Sequence, residues 1–382
     1  MKRKILSLLL CGSIVLTCFF AAIVNAEDVE EQNTVSEQGS DTKEIYTLTL
    51  QQAIDLAMEK DPDYINADVK IIDAKIQLEE AKRNRKDVQF VPMKVSQGLT
   101  SFALQRGYYV KQAEIGVESA LKEKEQIKAK IAYSVTQQYY AVKLAERLTE
   151  SAQSACEIAE DNLRNIQNRF SLGMVAKLDV NNATYAVNQL RSVRDKYERN
   201  LDITGRNLAA SLFVDGESIF KLTDDIEYVE FSADCKADTK QAMKSRYDIY
   251  SLEAMNSQAG LLLDIAGLYG RTSAEYSSAN LSKRQSDSTL EKSKNMIGIL
   301  IQSAYNDILN AKDAIMLAEE KLEICNLEYE IAKMQAEIGN ITNSQLTEAI
   351  NNVTNAKIEL DNAKLTYKLA TEKYGYEITI GL

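Results

Sequence analysis

IAYSVTQQYYAVKLAERLTESAQSACEIAEDNLRNIQNRF, residues 131–170, decides the fold, because its apolar register returns further along the chain. Alternating steps of four and three residues pick out Ile131, Val135, Gln138, Val142, Ala145, Thr149, Ala152, Cys156, Ala159, Leu163, Ile166 and Phe170. A shift of 166 residues from Val135 onward lands on Ile301, Ala304, Ile308, Ala311, Ile315, Ala318, Leu322, Cys325, Tyr329, Ala332 and Ala336. Only Gln138 and Thr149 are polar in the two sets, and both runs reach a glycine, Gly173 and Gly339. A seam recurring about every 3.5 residues stays on one face only when helices supercoil left-handedly around each other. An ordinary amphipathic helix shows a wider stripe with a period of about 3.6. The alanines favour close helix approach, so the pattern reads as a coiled coil, present twice.

The return helices repeat as well. Leu346, Ala349, Val353, Ala356, Leu360, Ala363, Tyr367, Ala370 and Tyr374 correspond to Val180, Ala183, Val187, Leu190, Arg194, Tyr197, Leu201, Thr204 and Leu208. Ahead of each long helix stands a related opening, QQAIDLAMEKDPDYINADVK in the first copy and ADTKQAMKSRYDIYSLEAMN in the second. Thr49 is placed to cap the first of these helices, and Pro62 to break or kink it. Residues 87–107 interrupt the helical period with Pro92, Gly98 and Gly107, and the polar residues 272–292 stand at that place in the second copy, so its long helix is expected from about Ser293. Asp179 sits where it complements the start of the first return helix.

Composition excludes much. The chain has 382 residues with 2 prolines and no tryptophan, which suits a few long helices. It has no histidine, so a His general base, a Ser-His-Asp triad or a His metal site cannot be built. Acid pairs such as Glu79 with Glu80, or Asp224 with Asp225, read as solvated charged faces rather than acid–base machinery. The net charge of −11 opposes binding to nucleic acid, and no cofactor is expected.

MKRKILSLLLCGSIVLTCFFAAIVNA reads as a signal peptide over residues 1–26, although its apolar run is long enough to remain as a membrane anchor. Cys11 and Cys18 follow Leu10 and Thr17, not the small residue that lipidation needs. Cys156, Cys235 and Cys325 make a poor disulfide framework, and two of them lie on the seam as small hydrophobes. Residues 27–45 form an acidic tether. The expected organisation is a first hairpin repeat over 46–212, a connector over 213–236 and a second repeat over 237–382.

These features together resemble the TolC-type outer-membrane efflux proteins. The resemblance rests on Leu50, Ala53, Ile54, Leu56, Ala57, Asp61, Pro62 and Asp63 in the opening, and on Arg169, Phe170, Gly173, Asp179 and Val180 at the turn. Tyr139 and Tyr140 look like the aromatic pair of the family's first long helix, and the duplication completes the likeness. It implies a mainly all-α fold of duplicated coiled-coil hairpins, as in a TolC-like α-barrel. A homotrimer would form a duct that exports substrate without chemistry of its own, docking a periplasmic-type adaptor served by an inner-membrane pump.

By this resemblance the hairpin tips that dock the adaptor are Arg169, Leu172, Gly173 and Met174, with Ile338, Gly339 and Asn340 in the second copy. A polar ring at the tunnel mouth would comprise Asp179, Asn182, Gln345 and Glu348. Glu348 reads equally as an acid in the first turn of its helix, whereas Asp179 reads first as a cap. The sequence departs from the family where barrel strands belong. A membrane strand needs about 9–11 residues of alternating polarity, whereas residues 272–292 carry six charged side chains, Glu275, Lys283, Arg284, Asp287, Glu291 and Lys292. The β-barrel segments are therefore expected to be strongly shortened or absent. An extracytoplasmic coiled-coil scaffold that has lost the pore is the alternative, and membrane association stays open.

Overall fold

The computed structural model describes residues 45–88, 90, 98–226, 228–338 and 340–381. The expected signal peptide, the tether except Ile45, and Gly339 lie outside the described residues. The chain opens with strand β1 (Ile45–Leu48) and helices α1 (Leu50–Lys60) and α2 (Pro62–Val88). Thr49 caps α1 as its sequence suggests. Its hydroxyl accepts from the Gln52 amide at 3.2 Å, and the Gln52 side chain accepts from the Thr49 amide at 2.9 Å. Pro62 ends α1 by starting α2, where its missing N–H costs nothing.

Helix α3 (Gly98–Gln105) leads to α4 (Tyr108–Ser171) and α5 (Lys177–Ser211). Strand β2 (Ile219–Leu222) then precedes α6 (Cys235–Ser245), α7 (Tyr247–Ala266), α8 (Ala274–Glu337) and α9 (Asn343–Thr379). Helices α4 and α8 each hold 64 residues, and both their starts (108, 274) and their ends (171, 337) lie 166 apart. At about 1.5 Å per residue each is roughly 96 Å long. Helices α1 and α6 both have 11 residues, and α2 and α7 start at 62 and 247, a separation of 185.

The repeated seam is what these helices bury. Val135, Val142, Ala145, Ala152, Cys156, Ala159 and Ile166 of α4 are buried, as are Ile301, Ala304, Ile308, Ala311, Ile315, Ala318 and Cys325 of α8. Each long helix packs along its own return helix and its own short helix. Helix α4 also touches α7 and α9, and α5 touches α9, so the short and return helices of the second copy lie against the first copy. One apolar cluster gathers Ala155, Cys156 and Ala159 of α4, Val187 and Leu190 of α5, and Leu346 and Ile350 of α9, joining the hairpins just behind their turns.

Two expectations fail in detail. Helix α8 starts at Ala274, not near Ser293, so residues 274–292 are helix. The Ser273 hydroxyl accepts from the Tyr276 amide at 3.1 Å and caps its start. No proline or glycine follows until Gly298, and Lys283 pairs with Asp287 one turn on. Low apolar content misled, because this stretch packs on α7 through polar contacts: Asn256 donates to Asp287 at 2.9 Å, and Lys294 pairs with Glu253 at 2.6 Å. The connector over 213–236, whose sequence reads as irregular with short apolar runs, also carries a strand. Its β2 pairs in parallel with β1, Ile45 opposite Ile219 and Leu48 opposite Leu222. These are the only strands among the described residues, and α7 reaches α8 through a short turn, so no barrel segment exists there.

Candidate functional site: the two hairpin tips

The first tip is closed by backbone geometry. Gly173 takes φ 72°, its amide donates to the Phe170 carbonyl at 2.9 Å, and the Met174 amide donates to the Arg169 carbonyl at 2.9 Å. This is the Schellman pattern, which leaves a left-handed residue one step past the helix. Glycine has no Cβ to oppose it. The second tip repeats two bonds of the first: the Asn340 amide donates to the Gln335 carbonyl at 2.8 Å, as Met174 does to Arg169, and the Ile338 amide to the Met334 carbonyl at 3.4 Å, as Leu172 does to Asn168 at 3.3 Å.

Around the turns, apolar side chains point outward without cover. Leu172 and Ile338 are corresponding residues, and each is 73% exposed. Met174, Leu178 and Met334 are exposed beside them, while Arg169 is half-buried. The Lys177 ammonium lies 5.5 Å from the Phe170 ring centre and flanks the first tip with positive charge. Behind it, Ile166, Val180 and Ala183 shut the hairpin, so the exposed residues ride on a packed support.

The four ring residues divide by role within the chain. The Ala176 amide donates to Asp179 at 2.9 Å, so this carboxylate satisfies the start of α5. Gln345 holds the corresponding place in α9: its side chain accepts from the Thr342 amide at 2.9 Å, and the Thr342 hydroxyl accepts from the Gln345 amide at 3.3 Å. Asn182 and Glu348, one turn further along, are exposed. A polar cluster supports the tip from outside: Arg191 pairs with Glu160 at 2.7 Å, which holds that carboxyl below its usual range. The neighbouring Cys156 thiol is pushed up by burial and then by the Glu160 charge.

The acid pairs seen in the sequence have separate structural duties. Asp224 accepts from the Leu50 amide at 2.7 Å, while Asp225 pairs with Arg147 at 2.5 Å. Glu79 pairs with Lys82. Among the described residues no group of three or more Cys, Asp or Glu is placed to hold a metal, and no helix is long and apolar enough to cross a membrane. Sequence reasoning missed the clamp made by Tyr139. Its hydroxyl donates to the Leu48 carbonyl at 3.1 Å and accepts from the Asp224 amide at 3.0 Å, tying β1 and the connector to α4. The aromatic pair at residues 139–140 was the signal for it.

No protein-family description and no curated protein matches the sequence. Solved structures match its fold. A membrane protein from Pseudomonas aeruginosa superposes with a TM-score of 0.71 at 14% identity, over 87% of this chain and 90% of that one. The CmeC outer membrane channel of Campylobacter jejuni gives 0.66 at 15% identity, over 85% and 84%. The open MtrE outer membrane channel of Neisseria gonorrhoeae gives 0.68 at 14% identity, over 86% and 89%. With its duplicated stems and paired hairpin tips, the chain has the TolC-type fold.

Proposed function

We propose that this chain is the duct component of an export system in the cell envelope, acting as TolC-type channels do and carrying no catalytic chemistry. The observation that carries the reading is the pair of matched tips, each presenting a bare apolar residue, Leu172 or Ile338, at the end of a packed hairpin. Such knobs suit the helical hairpins of a periplasmic-type adaptor, since apolar anchors on preorganised supports supply most of the energy of a helix interface. The assembly is read as a homotrimer served by an inner-membrane pump, located in the outer membrane or on the extracytoplasmic surface. Asn182 and Glu348, exposed just behind the tips, are assigned to the mouth of the duct, where an acidic ring attracts cations.

The test places a photo-crosslinking residue at Leu172 or Ile338 in living cells, with Ile203 on the α5 surface as the control. One discrete adduct from both tip positions and none from the control supports the reading. Equal labelling of all three sites overturns it. A second reading, a scaffold that has lost the pore, is favoured by the short turn from α7 to α8 in place of barrel strands. Ion conductance by the purified protein in planar bilayers separates the two, because a scaffold gives none.

A further inference from the structure

At the end of the stems away from the tips, α2 stops at Val88, α7 stops at Ala266 and α4 begins at Tyr108. Between them opens a cavity of about 560 Å³, lined by Arg85 of α2, by Arg106, Lys111 and Glu114 around the start of α4, and by Ser257 and Asp264 of α7. That size lies within the roughly 300–1,000 Å³ of small-molecule sites. Three cations against two acids reverse the balance of a chain whose net charge is −11. Along the stems, carboxylates answer the packed arginines: Arg147 meets Asp225 and Asp361, Arg191 meets Glu160, and Arg246 meets Glu377. Here Glu114 pairs with Lys111 at 3.6 Å, and among the described residues Arg85 and Arg106 form no ion pair. Asp264 stands on the α7 wall without reaching either guanidinium.

Arg85 is positioned by its backing rather than by a counter-ion. Gly107 takes φ 80°, and a Cβ built on it would stand 3.0 Å from the Arg85 guanidinium carbon. The absent side chain therefore lets the guanidinium lie against the turn between α3 and α4. A planar guanidinium offers a fork of N–H donors that matches phosphate oxygens, and a lysine adds a point charge. Aromatic side chains gather at the same end. Phe102 lies edge-on to Tyr269 at 5.8 Å, Tyr108 lies edge-on to Tyr109 at 5.4 Å, and Phe90, just past α2, is 87% exposed. Aromatic rings beside cations suit the headgroup layer of a membrane, where one end of a side chain is apolar and the other wet.

We infer that this cavity is a binding site for a phosphate group, held by Arg85, Arg106 and Lys111. The same chemistry arrives on an anionic lipid headgroup or on a free phosphate ion. The aromatic surroundings and the bare Phe90 ring favour the lipid, because a free ion has no use for apolar neighbours. The inference makes no use of the tips, and it holds for a duct and for a scaffold alike.

The test uses the purified full chain and two triple variants that remove equal charge. The site variant carries Arg85→Gln, Arg106→Gln and Lys111→Gln. The control carries Arg83→Gln, Lys86→Gln and Arg271→Gln, cations of the same end that do not line the cavity. All six side chains are exposed, and circular dichroism checks that helix content is kept. Flotation with vesicles of phosphatidylcholine and phosphatidylglycerol in equal parts reads the lipid, and calorimetry with inorganic phosphate reads the free ion. Vesicles of phosphatidylcholine alone measure attachment through the apolar N-terminus, which is subtracted. The unsubstituted chain is expected to bind the anionic vesicles, the site variant to lose about tenfold or more in affinity, and the control to keep most of its binding. Binding of inorganic phosphate alone, lost in the site variant, supports the site and assigns it to the free ion. Equal losses in both variants, or no anion-dependent binding in either arm, overturn the inference. Neither arm reads the tips, so failure here leaves the proposed function standing.

Discussion

At the junction of its two short helices the first copy carries Asp61 and the second Arg246, corresponding positions solved in opposite ways. Asp61 is a surface cap, accepting from the amides of Asp63 at 2.8 Å and Tyr64 at 3.0 Å. Arg246 is buried and reaches across to α9, donating to the Glu377 carboxylate at 2.5 Å and the Glu377 carbonyl at 2.8 Å, with Asp248 completing the set. The tyrosine clamps are just as asymmetric. Tyr139 ties the connector from the first long helix, whereas in the second copy Tyr367 does so from the return helix, accepting from the Phe231 amide at 2.8 Å. A duplicated seam thus leaves each copy free to settle its polar ends by itself. The second copy has placed a charge in its interior, and the first has kept its charges at the surface.

The sharpest way to break this comparison is Arg246→Ala. It leaves the Glu377 side chain buried without its partner and is expected to cost about 3–5 kcal/mol. The counterpart Asp61→Ala removes one half-buried cap and is expected to cost about 1 kcal/mol. Denaturant titration of both reads the difference, and equal losses would erase the distinction between the copies. Tyr139→Phe comes next: it strands the Asp224 amide and leaves the Leu48 carbonyl only its bonds from Thr223, for about 1–3 kcal/mol. Hydrogen exchange should show the loss concentrated at β1 and the connector.

Gly173→Ala forces a Cβ into the left-handed region and is expected to cost about 1–2 kcal/mol, with fraying limited to the first tip. Its Cβ would meet open space, so strain alone sets the effect. The smallest effect concerns pH. Burial raises the Asp225 pKa, but the Arg147 hydrogen bond and the Ile226 amide outweigh it, and the carboxyl ends below its ordinary value. A depressed folded-state pKa gives stability that is complete above the unfolded value, about 3.9, and lost as pH falls through the folded one. Arg147→Gln should flatten that acid limb. A limb of unchanged slope would assign it to other carboxylates.

The duplicated helices could be read from the sequence because a buried seam leaves its mark at every third or fourth residue. Ala145, Ala152 and Ala159, like Ala311, Ala318 and Cys325, are small and apolar because another helix lies against them. The glycine at the first tip was legible for a related reason, since few other residues take φ 72° cheaply. The start of α8 was not, because residues 274–292 hold their helix with a cap and polar pairs, and apolar periodicity does not register those. Nor was the pairing of β1 with β2, two four-residue strands joined across 174 positions from Ile45 to Ile219. Of the tip residues, the sequence located the turns, and the structure added that Leu172 and Ile338 stand bare while Asp179 and Gln345 are held as caps.

By itself, then, the sequence determined which residues face a helical partner, since that constraint is local and periodic. It could not say which partner, because a seam records only that something covers it. Only the tertiary structure decided that α4 lies between its own short and return helices and those of the second copy, that Arg246 rather than Asp61 goes inside, and that the faces of α2 and α8 stay uncovered within one chain. Those outcomes depend on contacts between residues far apart along the chain, and no short window of sequence carries them.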